Sequence, residues 1–164
     1  MIDEKEQKLY DVLESLKIKY IRYEHEAVYT VEEADKLKID MKGKLCKNLF
    51  LRNRKGDTHY LFVLEETKKA DLKLLSKQIG SSRLSFASEE RLAKYLDLKK
   101  GAVTPFGIIN DKESSVIILI DKDLVGDHLI NFHPNVNTAT IGILYEDFEK
   151  FIKWHRNKFV YVEN

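Results

Sequence analysis

Three short stretches of the chain concentrate residue types that can bind or polarise a substrate. The first, Gly101-Ala102-Val103-Thr104-Pro105-Phe106-Gly107, places two glycines and a proline within seven residues. Such a loop can turn successive backbone N–H groups toward one point, making an anion or oxyanion site without a charged side chain. The plainer reading is a tight turn. It is not a Walker loop, because no Gly-Lys-Ser/Thr follows. The second stretch, Lys44-Leu45-Cys46-Lys47-Asn48-Leu49-Phe50-Leu51, reads as a strand with Lys47, Leu49 and Leu51 on one face and Cys46, Asn48 and Phe50 on the other. A lysine on an apolar face either meets a phosphate or carboxylate or lays its stem on the core with its head in water. The third, Asn131 to Thr140, packs His133, three asparagines (Asn131, Asn135, Asn137) and two threonines (Thr138, Thr140) into ten residues. These groups suit an amino group, a ribose hydroxyl or an ester carbonyl, and His133 can shuttle a proton or simply donate. A polar turn is the alternative.

Other chemistries find no support. The five histidines are scattered, no HExxH or Cys/His spacing occurs, and a single cysteine excludes a cysteine zinc cluster or an internal disulfide. No metal site is therefore expected. No Gly-x-Ser-x-Gly elbow is present. Cys46 is expected to pack as a small hydrophobe rather than act as a nucleophile.

The elements that must hold these stretches can be read from periodicity and punctuation. The 164 residues are 43% hydrophobic and 34% charged, which predicts one ordinary globular domain over residues 1–164. No apolar run approaches the roughly 20 residues that span a bilayer, and the first residues lack a signal-peptide pattern. The expectation is a cytoplasmic protein without a membrane partner. Helices are predicted over Glu4–Leu16, after a Thr30/Glu33 capping box, over Asp71–Ile79 up to Gly80, after Ser88 through Leu96, and around Leu144–Ile152. Strands are predicted at Lys19–Tyr23, Leu45–Arg52, His59–Leu64, Arg83–Phe86, Val116–Ile120, Leu129–Phe132, Thr138–Ile143 and Phe159–Val162. Helices and hairpins mix without regular βαβ alternation, so the class is α+β with a mixed, mainly antiparallel sheet flanked by helices.

Net charge is only +1, but it is unevenly spread. Lys36 to Lys55 carries eight basic residues against one acid, Asp40, whereas Gly101 to Ile152 carries three basic and eight acidic. The basic segment is either a solvated surface or a path for a phosphate backbone. Aromatic residues are not interleaved with the basic ones as a single-strand stacking platform requires.

Taken in order, Tyr23-Glu24-His25 with Tyr29 to Ala34, Lys44 to Leu51, Gly101 to Gly107 and Asn131 to Thr140 make the chain resemble the YbaK/prolyl-tRNA synthetase editing-domain family. Within it, the chain is similar to the free-standing trans-editing deacylases. The resemblance implies a partly barrel-like mixed sheet and cofactor-free hydrolysis of the ester joining a mischarged amino acid to the terminal adenosine of tRNA. It carries catalytic roles onto Lys47, Gly101 and His133. Substrate contacts fall on Asn48, Ala102, Val103, Thr104, Pro105, Phe106, Gly107, Asn135, Asn137 and Thr138. It implies the acceptor end of mischarged tRNA as partner, with prolyl-tRNA synthetase as a further one. The His-Pro followed by Asn-Thr resembles the branch that clears alanine from tRNA for proline. The alternatives are the cysteine-clearing branch and a non-catalytic module of the same fold that senses charged tRNA or proline.

Overall fold

The computed structural model describes residues 2–27, 32–33 and 40–164. The expected Thr30 cap, the Tyr29–Val31 part of the resemblance, and Lys36 and Lys38 lie outside the described residues. Helix α1 (Glu4–Ser15) leads into β1 (Ile21–Glu24), and the hairpin β2 (Lys44–Arg52) and β3 (His59–Glu65) follows. Next come α2 (Leu72–Gln78), the two-residue β4 (Ser85–Phe86), α3 (Glu89–Leu96) and a 3-10 helix over Pro105–Asn110. The chain continues with β5 (Ile117–Asp121), β6 (Leu129–Phe132), β7 (Ala139–Leu144), α4 (Tyr145–His155) and β8 (Phe159–Val162).

Local chemistry explains the helix starts. Asp71 accepts from the Leu74 N–H and Ser88 from the Arg91 N–H, each satisfying a donor that the first helical turn leaves open. α3 ends on Asp97 in the left-handed conformation (φ 53°). The stretch expected to be loop up to Gly107 is loop only to Thr104. Thr104 caps the 3-10 helix through its hydroxyl, and Pro105 fits the first turn because that position needs no N–H.

The strands form one sheet in the order β1-β7-β6-β2-β3-β5-β8, with β4 on β2. Antiparallel pairs join β1/β7, β6/β7, β2/β3 and β2/β4, and parallel pairs join β2/β6, β3/β5 and β5/β8. The sheet is thus mixed and open, with β1 and β8 at its two ends.

The two faces of β2 bury into two separate cores, as period-two alternation requires. Phe50 joins the larger core with Phe106, Phe132, Phe148 and Phe151, and Cys46 packs against it. Leu51 joins the smaller core with Phe62, Leu64 and Leu75, and Leu49 packs against that one. α1 docks by an ionic clamp: Glu6, only 1% exposed, accepts from Arg22 Nε at 2.6 Å and from the Tyr10 hydroxyl. Among the described residues no helix is long and apolar enough to cross a membrane.

Candidate active site

β2 is incompletely paired along one edge. It pairs with β6 only at Lys44 and Leu45 and with β4 only at Leu51 and Arg52, while its other edge is paired with β3 from Cys46 to Arg52. Among the described residues, 46–49 therefore face no strand on that side. The result is a slot in the sheet, with Lys47 and Asn48 at its edge. Asn48 lies on the face of Phe50 and Lys47 on the face of Leu49, so the two side chains leave the slot in opposite directions.

The Gly101–Thr104 loop comes to this slot through Asn48, whose Nδ2 donates to the Val103 carbonyl at 3.2 Å. Asn48 Oδ1 is buried without a hydrogen-bond partner. Such an acceptor is costly to leave unmet, and a bound ligand's donor would satisfy it. Gly101 has φ 90°, a conformation that side-chain-bearing residues avoid. The loop's donors are fewer than its sequence suggests. The Ala102 N–H is bonded to the Lys99 carbonyl, Phe106 N–H to the Thr104 hydroxyl and Gly107 N–H to the Thr104 carbonyl. Among the described residues, the N–H groups of Gly101 and Val103, both partly exposed, have no backbone acceptor and are left to meet an outside one.

The side chains at the end of this loop, all expected substrate contacts, turn into the core. The Phe106 ring is fully buried edge-on to Phe132 and Phe151, Thr104 is fully buried, and Pro105 is buried. At Gly107 a Cβ would lie 2.6 Å from Leu98, so glycine there permits close packing, not ligand approach.

The Asn131–Thr140 stretch reaches the same place from β6 and β7. Asn135 adopts a left-handed φ of 66°, and its Nδ2 lies 3.5 Å from the Phe106 carbonyl while its Oδ1 is buried without a partner. Asn131 donates to the Lys42 and Lys44 carbonyls and so fixes the start of β2. Thr138 is exposed, and its carbonyl accepts from the His25 N–H.

His133 Nδ1 lies 2.9 Å from the Ala139 carbonyl, so that nitrogen carries the proton and donates. Burial pushes its pKa below the ordinary imidazole value, with the Ala139 contact opposing and the nearby His25 adding to the shift. The ring is thus neutral at pH 7, and Nε2 presents a lone pair. His25 stands edge-on to it at 6.0 Å between ring centroids. His25 itself is held between the Glu26 carbonyl (2.7 Å) and the Thr140 hydroxyl (2.8 Å). In sequence His25 stands only in the Tyr23-Glu24-His25 motif and Thr140 only among the polar groups of the Asn131–Thr140 stretch, with nothing to join the two. They are 115 residues apart and meet only because β1 pairs with β7, which no local pattern announces.

Lys47 is partly buried, has no carboxylate within ion-pair distance among the described residues, and does not contact the loop; Asn48 does. Burial pushes the Cys46 thiol up to about 12, which removes it as a nucleophile at neutral pH. No group of three His, Cys, Asp or Glu side chains among the described residues could hold a metal ion.

Residues 25–151 match the model of a family described as the aminoacyl-tRNA editing domain. The chain is 50% identical over 151 residues to the prolyl-tRNA editing protein ProX of Acetoanaerobium sticklandii, covering 92% of each. It is 35% identical over 144 residues to prolyl-tRNA synthetase associated domain-containing protein 1 of Bos taurus, covering 86% of this chain and 84% of that one. Its fold is shared with a solved structure described as a candidate trans-editing enzyme for prolyl-tRNA synthetase, with a TM-score of 0.73 at 19% identity over essentially both chains. With the slot, the glycine loop and the histidine pair all inside the matched segment, the chain belongs to the aminoacyl-tRNA editing domain family.

Proposed function

We propose that the protein is a trans-editing aminoacyl-tRNA deacylase that clears alanine from tRNA for proline by water attack on the aminoacyl ester. The observation that carries the reading is the convergence of loop and slot: two unengaged backbone N–H groups on the loop that Asn48 holds at Val103, a buried, unpartnered Asn48 carbonyl, and no ionised nucleophile near. An aminoacyl ester is activated, so the protein need supply only donors where charge develops. One such donor is typically worth roughly 3 to 4 kcal/mol of barrier. Gly101 and Val103 supply these N–H groups, and the attacking water is oriented by the substrate's own ribose 2′-hydroxyl. Asn48 and Asn135 accept from the adenosine and the amino group, respectively. His133 Nε2 bounds the amino-acid pocket and accepts a hydrogen bond from the α-amino group. Lys47, on the far side of the slot edge, supplies charge for the terminal phosphate. Prolyl-tRNA synthetase is the upstream source of the substrate.

Pocket size separates neighbouring amino acids by only about 1 to 3 kcal/mol. Alanine is therefore favoured over larger residues by modest factors. The test is to incubate the protein with alanyl-, cysteinyl- and prolyl-tRNA for proline and follow release of each amino acid. Alanine is expected to be lost fastest, with cysteine and proline released more slowly. Faster loss of cysteine would reassign the branch, and no hydrolysis of any of the three would leave a binding module.

A further inference from the structure

The far end of β2 carries a second feature that the ester chemistry does not use. Arg52, Arg54, Lys55, Arg83, Arg91 and Lys94 gather around the β2–β3 turn, β4 and the start of α3. Among the described residues, Lys55 alone of these has a carboxylate within ion-pair distance, Asp57 at 3.8 Å, and the remaining acids of this region, Glu89 and Glu90, are in no ion pair. The guanidiniums are held instead by carbonyls. Arg52 donates to the carbonyls of Asn53 and Arg54, and Arg91 donates to that of Gly56. Arg52 and Arg91 come so close around Gly56 that a Cβ there would lie 3.1 Å and 3.0 Å from their respective Nη2 atoms. Two guanidiniums converging without an anion is an unfavourable arrangement that a bound anion would relieve. The field is strong enough that, after burial, Arg91, Arg52 and Lys94 are what hold His59 unprotonated.

The shape of this end matches a backbone rather than a single ion. Two grooves lie at this end: one of about 450 Å³ lined by Arg54, Arg83 and Ser85, the other of about 360 Å³ lined by residues including Ser88, Arg91 and Lys94, with Glu90 as its one carboxylate. Phe86 of β4, next to Ser85 in the chain, is 63% exposed. Arg52 shares a face of β2 with Asn48 and is four residues away, about 13 Å along the strand. An extended polyanion whose end sits in the slot would cross this surface.

We propose that the Arg52–Arg54–Arg83–Arg91 surface is the docking face for the duplex phosphate backbone of the acceptor stem, with Phe86 packed against its sugar edge. The inference rests on the proposed deacylase reading and adds to it where the RNA lies. Guanidiniums anchored on carbonyls keep their remaining N–H groups for phosphate oxygens, and an A-form helix is read through backbone and 2′-hydroxyls across its shallow groove.

The experiment compares two substrates, full-length alanyl-tRNA for proline and an alanyl ester of a short CCA trinucleotide without duplex. The variants are the charge-reversed pair R54E/R83E and the conservative pair R54K/R83K; both side chains are exposed and bond nothing in the interior. R54E/R83E should raise KM for the tRNA about tenfold or more and lower the slope of log affinity against log salt by about 1 to 2. Its kinetics on the trinucleotide ester should be unchanged, and R54K/R83K should retain most of the tRNA affinity. Unchanged tRNA kinetics and salt slope in R54E/R83E would overturn the docking face. Equal loss on both substrates would overturn it as well. If the unaltered protein hydrolyses neither substrate but binds tRNA in a way that R54E/R83E abolishes, the deacylase reading fails and the docking face stands.

Discussion

Asn48 is the side chain on which the candidate site turns. One end of its amide holds the Gly101 loop through the Val103 carbonyl, and the other end is a buried acceptor with no partner. Asn48→Ala removes both, so the loop N–H groups lose their registration against β2. A misplacement of about 1 Å at a reacting centre costs about a hundredfold in rate. A fall of that order in kcat is expected, together with a rise in KM from the lost adenosine contact, and single-turnover deacylation across tRNA concentrations measures both. An unaltered rate would mean that the loop holds itself. Lys47 stood out in the sequence because a lysine interrupts an apolar strand face. Asn48 was visible only as its neighbour, since the orphaned oxygen that marks it depends on a loop more than fifty residues away. For the same reason the sequence does not show that the Phe106 side chain is buried in the core and that Gly107 lies tight against Leu98. A Gly-x-x-x-Pro spacing does not reveal which side of the turn meets the core.

At the scale of elements, most of the frame was legible. Alternation in β2 and β3, the Asp71 and Ser88 caps and the α4 stripe all follow from local patterns, and the structure places them within a residue or two. The strand partners were not legible. The parallel contacts of β2 with β6 and of β3 with β5 join segments far apart in sequence, and pairing direction leaves little trace in composition. The tie of α1 to β1 shows how an element is held by one buried charge. Arg22→Ala strands the Glu6 carboxylate, which is 1% exposed and otherwise met only by the Tyr10 hydroxyl. Breaking a buried pair from one side costs about 3 to 5 kcal/mol. Chemical denaturation should show a loss in that range, whereas the double replacement Glu6→Leu/Arg22→Leu should recover much of it.

At the scale of the whole molecule, buried His59 makes stability depend on pH. It is 3% exposed, stacked on Phe50 with the Tyr95 ring tilted against it, and receives a hydrogen bond from Arg91. Burial and then the charges of Arg91, Arg52 and Lys94 push its pKa down to about 4, below the ordinary histidine value of about 6.5. The unfolded chain takes up this proton first as pH falls. The stabilisation by neutral His59 is therefore complete above about pH 6.5 and is lost on the way down to about pH 4, to the extent of about 3 kcal/mol. Melting temperature followed across that window should fall in the unaltered protein and stay nearly level in His59→Gln. A parallel decline in both would assign the pH dependence to other groups. The slot in β2 has a different consequence at this scale. Extending β4 and β6 toward each other until they met would complete the hydrogen-bond ladder along that edge, and the healed sheet would be the sturdier protein. The same change would seal the opening proposed to admit a substrate. Selection for robustness alone would thus drive this chain toward inertness, and the gap persists only where turnover is itself selected.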